Sequence, residues 1–382
     1  MTAPSRRHLL AAACMLPGLG RAQDLAATDL SIVLAGESPR LGASVMDDLF
    51  HNNNLALPVG TLRQEVTPWI AGDLHEEVEA GLPGMDAVLT NAAGFALGAA
   101  RDLWHALPAR LLDANTPHLS PAGQLVQARL GEAGLVVGTI PGGPVLVHRR
   151  SVLPVAPRNA AALLDYAREN PRRFQYTRPG QSRFGQAFIT SMPYLLKDPN
   201  PLDPENGWTG SWPYLLELGR AARFYPSSGR AAAEEFIEGS VELMPALLGS
   251  YLLGMATGLL PTDTMCTPFD DVPLVPHSLI LVVPRGVPEQ RLALLDPLIA
   301  FMREPGPQRL IFGRGLIPGN PARDGASLDL SANDRLWTAA MTPELAASLT
   351  GRPTAPPLDP AAEAAMLRLW DDRIGSRYGE TL

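Results

Sequence analysis

The apolar positions of this chain fall into short runs that alternate with longer, helically spaced stretches. Leu30 to Ala35 is an apolar run of strand length, and the polar loop Gly36 to Arg40 follows it. Leu41 to Phe50 has apolar residues at helical spacing and is broken by Asn52, Asn53 and Asn54. Leu62 to Val66 predicts a second strand, and Pro68 to Ala80 a helix with an acidic end at Glu76, Glu77 and Glu79. Met85 to Leu89 predicts a third strand, with Asn91 and then a helix from about Ala93 to His105 after it. Strands and helices in this alternation indicate a parallel sheet covered by helices.

Residues 108 to 135 are weakly patterned. Val136 to Val147 holds two apolar runs around Pro141-Gly142-Gly143-Pro144 and predicts a connection rather than a core element. Helices are expected over Asn159–Glu169, Trp208–Leu218, Arg230–Glu238, Pro288–Met302 and Pro360–Arg373, and a strand over Ser278–Val283. Leu243 to Thr262 is uncharged and as long as a membrane span. Pro245, Gly249, Ser250, Gly254 and Gly258 interrupt it, so it is read as a buried strand, a turn and a core helix. One unit occurs twice. An acidic helix, a glycine and a short strand recur at Gly81 with Met85–Leu89 and at Gly239 with Val241–Met244. The repeat suggests two lobes built alike.

The stretch from Asn170 to Leu196 carries the most chemistry. Pro171 ends the preceding helix, Phe174 to Thr177 suits a strand, and Pro179 and Gly180 turn the chain. Ser182 then stands where a hydroxyl can cap the next helix. A helix start flanked by Arg178 and Arg183 offers N–H groups and positive charge to an anionic or strongly polar group.

The N-terminus changes the picture of where the chain works. Ser5-Arg6-Arg7-His8-Leu9-Leu10 has the twin-arginine pattern of an export signal, an apolar run reaches Leu19, and small residues lead to a cleavage point after Ala22. Cys14 has too short an apolar run before it to mark a lipoprotein. The mature chain keeps one cysteine, Cys266, so no internal disulfide is possible. Its length suits two domains. The precursor's net charge of −8 grows more negative once Arg6, Arg7 and Arg21 are removed, which argues against nucleic acid as a partner. Lys197 is the only lysine, and Gln186 stands where a P-loop would need one after Gly180 and Gly185.

Catalytic signatures are lacking. No Gly-x-Ser-x-Gly occurs, and Ser227-Ser228-Gly229 lacks the first flanking glycine. The seven histidines show no metal-ligand spacing, and each is read as a surface or hinge residue. Asp263, Asp270 and Asp271 are read as a solvated loop rather than a cation site. A periplasmic hydrolase or a ligand sensor on the same scaffold is the alternative to a binding protein.

Four stretches carry a family resemblance. They are Met85–Asn91 with Phe95, Asn170–Tyr176, Tyr225–Ser228 with Gly239 and Met244–Tyr251, and Ala300–Met302 through Gln308 to Gly319. Together they resemble the family-1 extracellular solute-binding proteins of ABC importers, in the YnjB-like branch. The resemblance implies an α/β fold of the two-lobed, type II periplasmic-binding-protein kind, each lobe a mainly parallel sheet flanked by helices. It implies a first lobe over 24–140, a second over 145–270, a return to the first over 272–325, and C-terminal helices over 326–382 packing on the lobes. It further implies a periplasmic monomer without a cofactor that is not an enzyme. Such a protein captures a small solute between its lobes and passes it to a membrane permease, and the helix start at Ser182 with Arg178 adds the expectation of a polar solute with an anionic group. The branch usually has a Pro-rich loop where this chain has Gln181-Ser182-Arg183, so the ligand class does not carry over. Loops after strands face the cleft in such folds, which selects Glu37, Ser38, Asn91, Arg178, Gln181, Ser182, Tyr225, Ser227, Ser228 and Tyr251 as ligand-binding residues.

Overall fold

A computed structural model describes residues 29–36, 59–115, 119, 121–302, 340–350 and 352–377. The export pattern, the expected helix at Leu41–Phe50 and the stretch from Gln308 to Gly319 lie outside the described residues. So do Glu37 and Ser38.

The first half builds one sheet. Strands β1 (Leu30–Ala35), β2 (Val59–Glu65) and β3 (Ala87–Thr90) are parallel, with α1 (Asp73–Glu79) between β2 and β3 and α2 (Ala92–Ala99) after β3. α3 (Ala109–Asn115) and α4 (Pro121–Leu130) precede β4 (Leu135–Gly143). β1 is apolar at every position but one because both faces of this sheet are covered. Ile32, Leu34 and Leu89 face one core, Val33, Ala35 and Val88 the other.

The chain then passes directly into a second sheet. β5 (Val145–Arg149) follows β4 after one residue, Pro144. Gly142 and Gly143 allow this close passage, since a Cβ on either would meet backbone oxygen of Val275 or Ala246 at 3.0 and 3.1 Å. Beyond β5 come α5 (Ala160–Glu169), α6 (Arg183–Leu195), α7 (Ser211–Ala221) and α8 (Gly229–Ile237), then β6 (Leu243–Ala246), α9 (Leu248–Ala256) and β7 (Thr264–Pro268). β8 (Val275–Val282) carries the chain back, lying antiparallel between β3 and β4. The described sheets have the strand orders β2-β1-β3-β8-β4 and β6-β5-β7. α10 (Glu289–Leu292), α11 (Leu295–Met302), α12 (Pro343–Leu349) and α13 (Pro360–Arg373) complete the described helices.

Several sequence expectations need correction. Val136–Val147 is not a mere connection, because β4 and β5 are core strands of the two sheets. The second sheet is antiparallel among its three strands. Phe174–Thr177 is buried and extended but makes no ladder, only a parallel bridge from Phe174 to Leu243. The uncharged stretch from Leu243 does form a buried strand and then a helix, and no described helix is long and apolar enough to cross a membrane.

The repeated unit recurs in its hydrogen bonds. Gly81 N–H donates to Val78 and Leu82 N–H to Glu77, while Gly239 N–H donates to Phe236 and Ser240 N–H to Glu235. Both glycines have positive φ, 69° and 78°, as a helix C-terminus closed this way requires. Each helix is thus turned into a strand by the same device.

Candidate functional site

Residues from the starts of α2, β8 and α13 line one space beside α13. Three of the polar residues picked from sequence are helix caps. Asn91 Oδ1 accepts from Gly94 N–H at 2.9 Å, Ser182 Oγ from Phe184 N–H at 3.3 Å, and Ser228 Oγ from Ala231 N–H at 3.1 Å. Each satisfies a backbone donor that the first turn leaves free.

Helix α13 lies between the two halves of the molecule. Its apolar stripe follows helical spacing through Met366, Leu367 and Trp370, all buried. Toward the first sheet it packs on α2, with Ala93 in the same cluster as Leu367. Toward the second half, Trp370 Nε1 donates to Tyr176 Oη at 3.2 Å, and its ring stands edge-on to Tyr225 at 5.1 Å. Arg178 sits over the Trp370 ring at 5.7 Å and pairs with Asp371 at 3.4 Å. Burial raises the Asp371 carboxyl and Arg178 draws it back down.

Two spaces flank this helix. The outer one, about 1710 Å3, is walled by Leu97 and Arg101 of the first half, by Arg178, Gly180 and Gln181 of the second, and by α13. The inner one, about 40 Å3, lies between α2, α4, α6, the start of β8 and the N-terminal turn of α13. Pro360 lines both. The inner space holds Gln186, His277 and Glu363 among Phe95, Val126, Leu130 and Leu358. Glu363 is buried and accepts from Gln186 Nε2 at 2.5 Å. Burial pushes its carboxyl up to about 7, against the pull of the Gln186 bond. Burial, with Arg183 nearby, drives His277 down to about 3, so the imidazole is uncharged.

The structure brings some of the expected site residues together and not others. Arg178 and Gln181 wall the outer space, and Ser182 lies beside them as a cap. Tyr225 packs on Tyr176 at 4.8 Å and on Trp370. Ser227 is exposed. Tyr251 lies in a different core, with its hydroxyl toward Thr264 O at 3.4 Å and its pKa raised to about 12 by burial. None of Gln186, His277 and Glu363 was among the residues expected to bind ligand, and His277, read as a surface or hinge residue, is buried at the start of β8. A signal existed for Glu363: a carboxylate placed three, four and seven residues before Met366, Leu367 and Trp370 is on the apolar stripe of its helix.

Asp263 is taken up by Arg149 at 3.1 Å and by Ser151, and Asp270 by Arg158 at 2.7 Å. Among the described residues no cluster of three His, Cys, Asp or Glu could hold an ion.

The comparisons with known proteins bear on the fold. No family model and no curated protein matches the chain. Solved structures do. A periplasmic thiamin binding protein matches over 92% of this chain and 96% of its own, at 13% identity and a TM-score of 0.63. An ABC transporter protein from Clostridium perfringens ATCC 13124 matches over 91% and 100%, at 12% identity and 0.64. The periplasmic binding protein AfuA from Actinobacillus pleuropneumoniae, with fructose-6-phosphate bound, matches over 91% and 98%, at 13% identity and 0.62. The chain has the type II periplasmic-binding-protein fold. The passages β4–β5 and β7–β8 connect the two sheets, and residues of both halves line the spaces beside α13.

Proposed function

We propose that this chain is the periplasmic solute-binding component of an ABC importer. In this reading it is a monomer that takes up a small polar solute between its lobes and delivers it to a membrane permease. The observation that carries the reading is a cavity walled by both halves of a two-sheet molecule joined by two short crossings. A concave site of this kind, with a few polar groups on apolar walls, is how small molecules are held and oriented. The lobes correspond to residues 24–140 with 272–325, and 145–270. Export follows the twin-arginine pattern, with cleavage near Ala22.

Arg178, Gln181 and Tyr225 are the proposed solute contacts from the original set. Asn91, Ser182 and Ser228 act by fixing the helix starts around the cleft. The expected anionic part of the solute loses much of its motive. Arg178 is engaged by Asp371, and Ser182 by its own helix. The test is mass spectrometry of the solute that leaves the exported protein on unfolding, followed by rebinding. One solute species, rebound and recovered unchanged, supports transport. Conversion of that solute on incubation would make the protein an enzyme instead.

A further inference from the structure

The inner space is unusual for its unmatched hydrogen-bonding groups. Gln186 is 3% exposed and its Oε1 has no partner. His277 is 2% exposed and neither ring nitrogen has one. Glu363 is 6% exposed and accepts from Gln186, while a carboxylate can accept several bonds. Buried polar atoms in folded proteins are paired as a rule, so a group that pairs with these belongs here.

The donor and acceptor count defines that group. Gln186 Oε1, the Glu363 carboxylate and one nitrogen of a neutral His277 accept. The other His277 nitrogen donates, as do the second N–H of Gln186 and the Thr190 hydroxyl, which also accepts. Arg129, the one cationic residue of the lining, is on the exposed side of α4, and Arg183 stands outside the lining but near His277. The buried carboxylate of Glu363 sets the sign, so the complement is a positively charged N–H donor, and a primary ammonium has three donors and no acceptor. Size agrees. One water needs about 10–15 Å3, so about 40 Å3 admits a small head group. The body of the solute would extend past Pro360 into the outer space.

We propose that the inner space is a subsite for a protonated primary amine of the solute, with Glu363 as its counter-charge and Gln186 and His277 as further acceptors. This rests on the reading of the chain as a solute-binding protein. It puts a residue of the C-terminal helix in direct contact with the solute, so α13 is part of the binding site rather than a brace behind it.

Calorimetry on the full mature chain tests the subsite, with propylammonium, propionate and 1-propanol as probes at matched ionic strength. Propylammonium is expected to bind, and the other two at least about tenfold more weakly, since charge-assisted bonds are the stronger kind. Glu363→Gln keeps the shape and the Gln186 contact and is expected to weaken propylammonium by at least about tenfold. Affinity should rise from pH 6 to pH 8 as Glu363 loses its proton. Equal binding of propanol or propionate, no amine binding at all, or an unaffected Glu363→Gln protein with wild-type folding would each overturn the subsite. The solute recovered from the exported protein separates the two claims. A bound solute without an amine sinks the subsite and leaves solute binding standing, while the absence of any binding cleft sinks both.

Discussion

Replacing Glu363 by glutamine should flatten the pH dependence of folding stability. The carboxyl is buried between α13 and α6, and burial raises it from 4.5 to about 7. In the unfolded chain it titrates at the ordinary value. Between the two, the folded protein holds a proton that the unfolded chain has lost. The group's contribution to stability is therefore fully present below about pH 4.5, is lost as pH rises through about 7, and stays lost above. Each pH unit of difference is worth about 1.4 kcal/mol, so the span amounts to about 3 kcal/mol. Glutamine does not titrate, yet it can still accept from Gln186. Glu363→Gln should match wild type near pH 4 and exceed it by up to about 3 kcal/mol near pH 8. Urea unfolding followed by tryptophan fluorescence at several pH values gives the difference, in which the other titrating groups cancel. Parallel stability curves for the two proteins would refute the burial of a titrating carboxyl at this position.

Further outcomes follow from other residues. Trp370→Ala removes a fully buried ring and should destabilise by about 3–5 kcal/mol, read by thermal unfolding. Gly239→Ala meets no steric contact but forces a side chain to a φ of 78°, and should cost about 1–2 kcal/mol. Arg178→Ala should weaken the recovered solute more than Arg172→Ala, because Arg172 lies at the other end of the extended stretch, where its N–H donates to Ala221 O; calorimetry on both proteins decides. Changing Arg6 and Arg7 together to lysine should leave the precursor in the cytoplasm, as fractionation would show.

Local patterns that act through neighbouring residues were legible in the sequence. β1 spans the expected residues, and α13 begins and ends where its apolar spacing placed it. The glycine that ends each repeated helix was visible because only a residue tolerant of positive φ suits that turn. What failed depended on distant partners. Helix α7 starts three residues later than the pattern suggested because Asp198 holds the N–H groups of Gly210 and Ser211 from across a loop. The expected helix over Pro288–Met302 breaks between Leu292 and Leu295, since Pro297 lacks the N–H that would bond back to Ala293. Phe174–Thr177 has strand-like residues, but its burial comes from Tyr225, Phe188 and Trp370 rather than from a ladder. Of the residues selected for ligand contact, Asn91, Ser182 and Ser228 stand at helix starts and cap them, while Tyr251 lies within α9. Gln186, His277 and Glu363 meet only through the fold, being separated by scores of residues along the chain.

Small-angle scattering of the mature protein with and without its recovered solute tests capture between two lobes most directly. Saturation should lower the radius of gyration as the lobes draw together around the bound molecule, and at about 100 times the dissociation constant it should add about 2.7 kcal/mol of stability. Tight binding that leaves the radius of gyration unchanged would contradict the account.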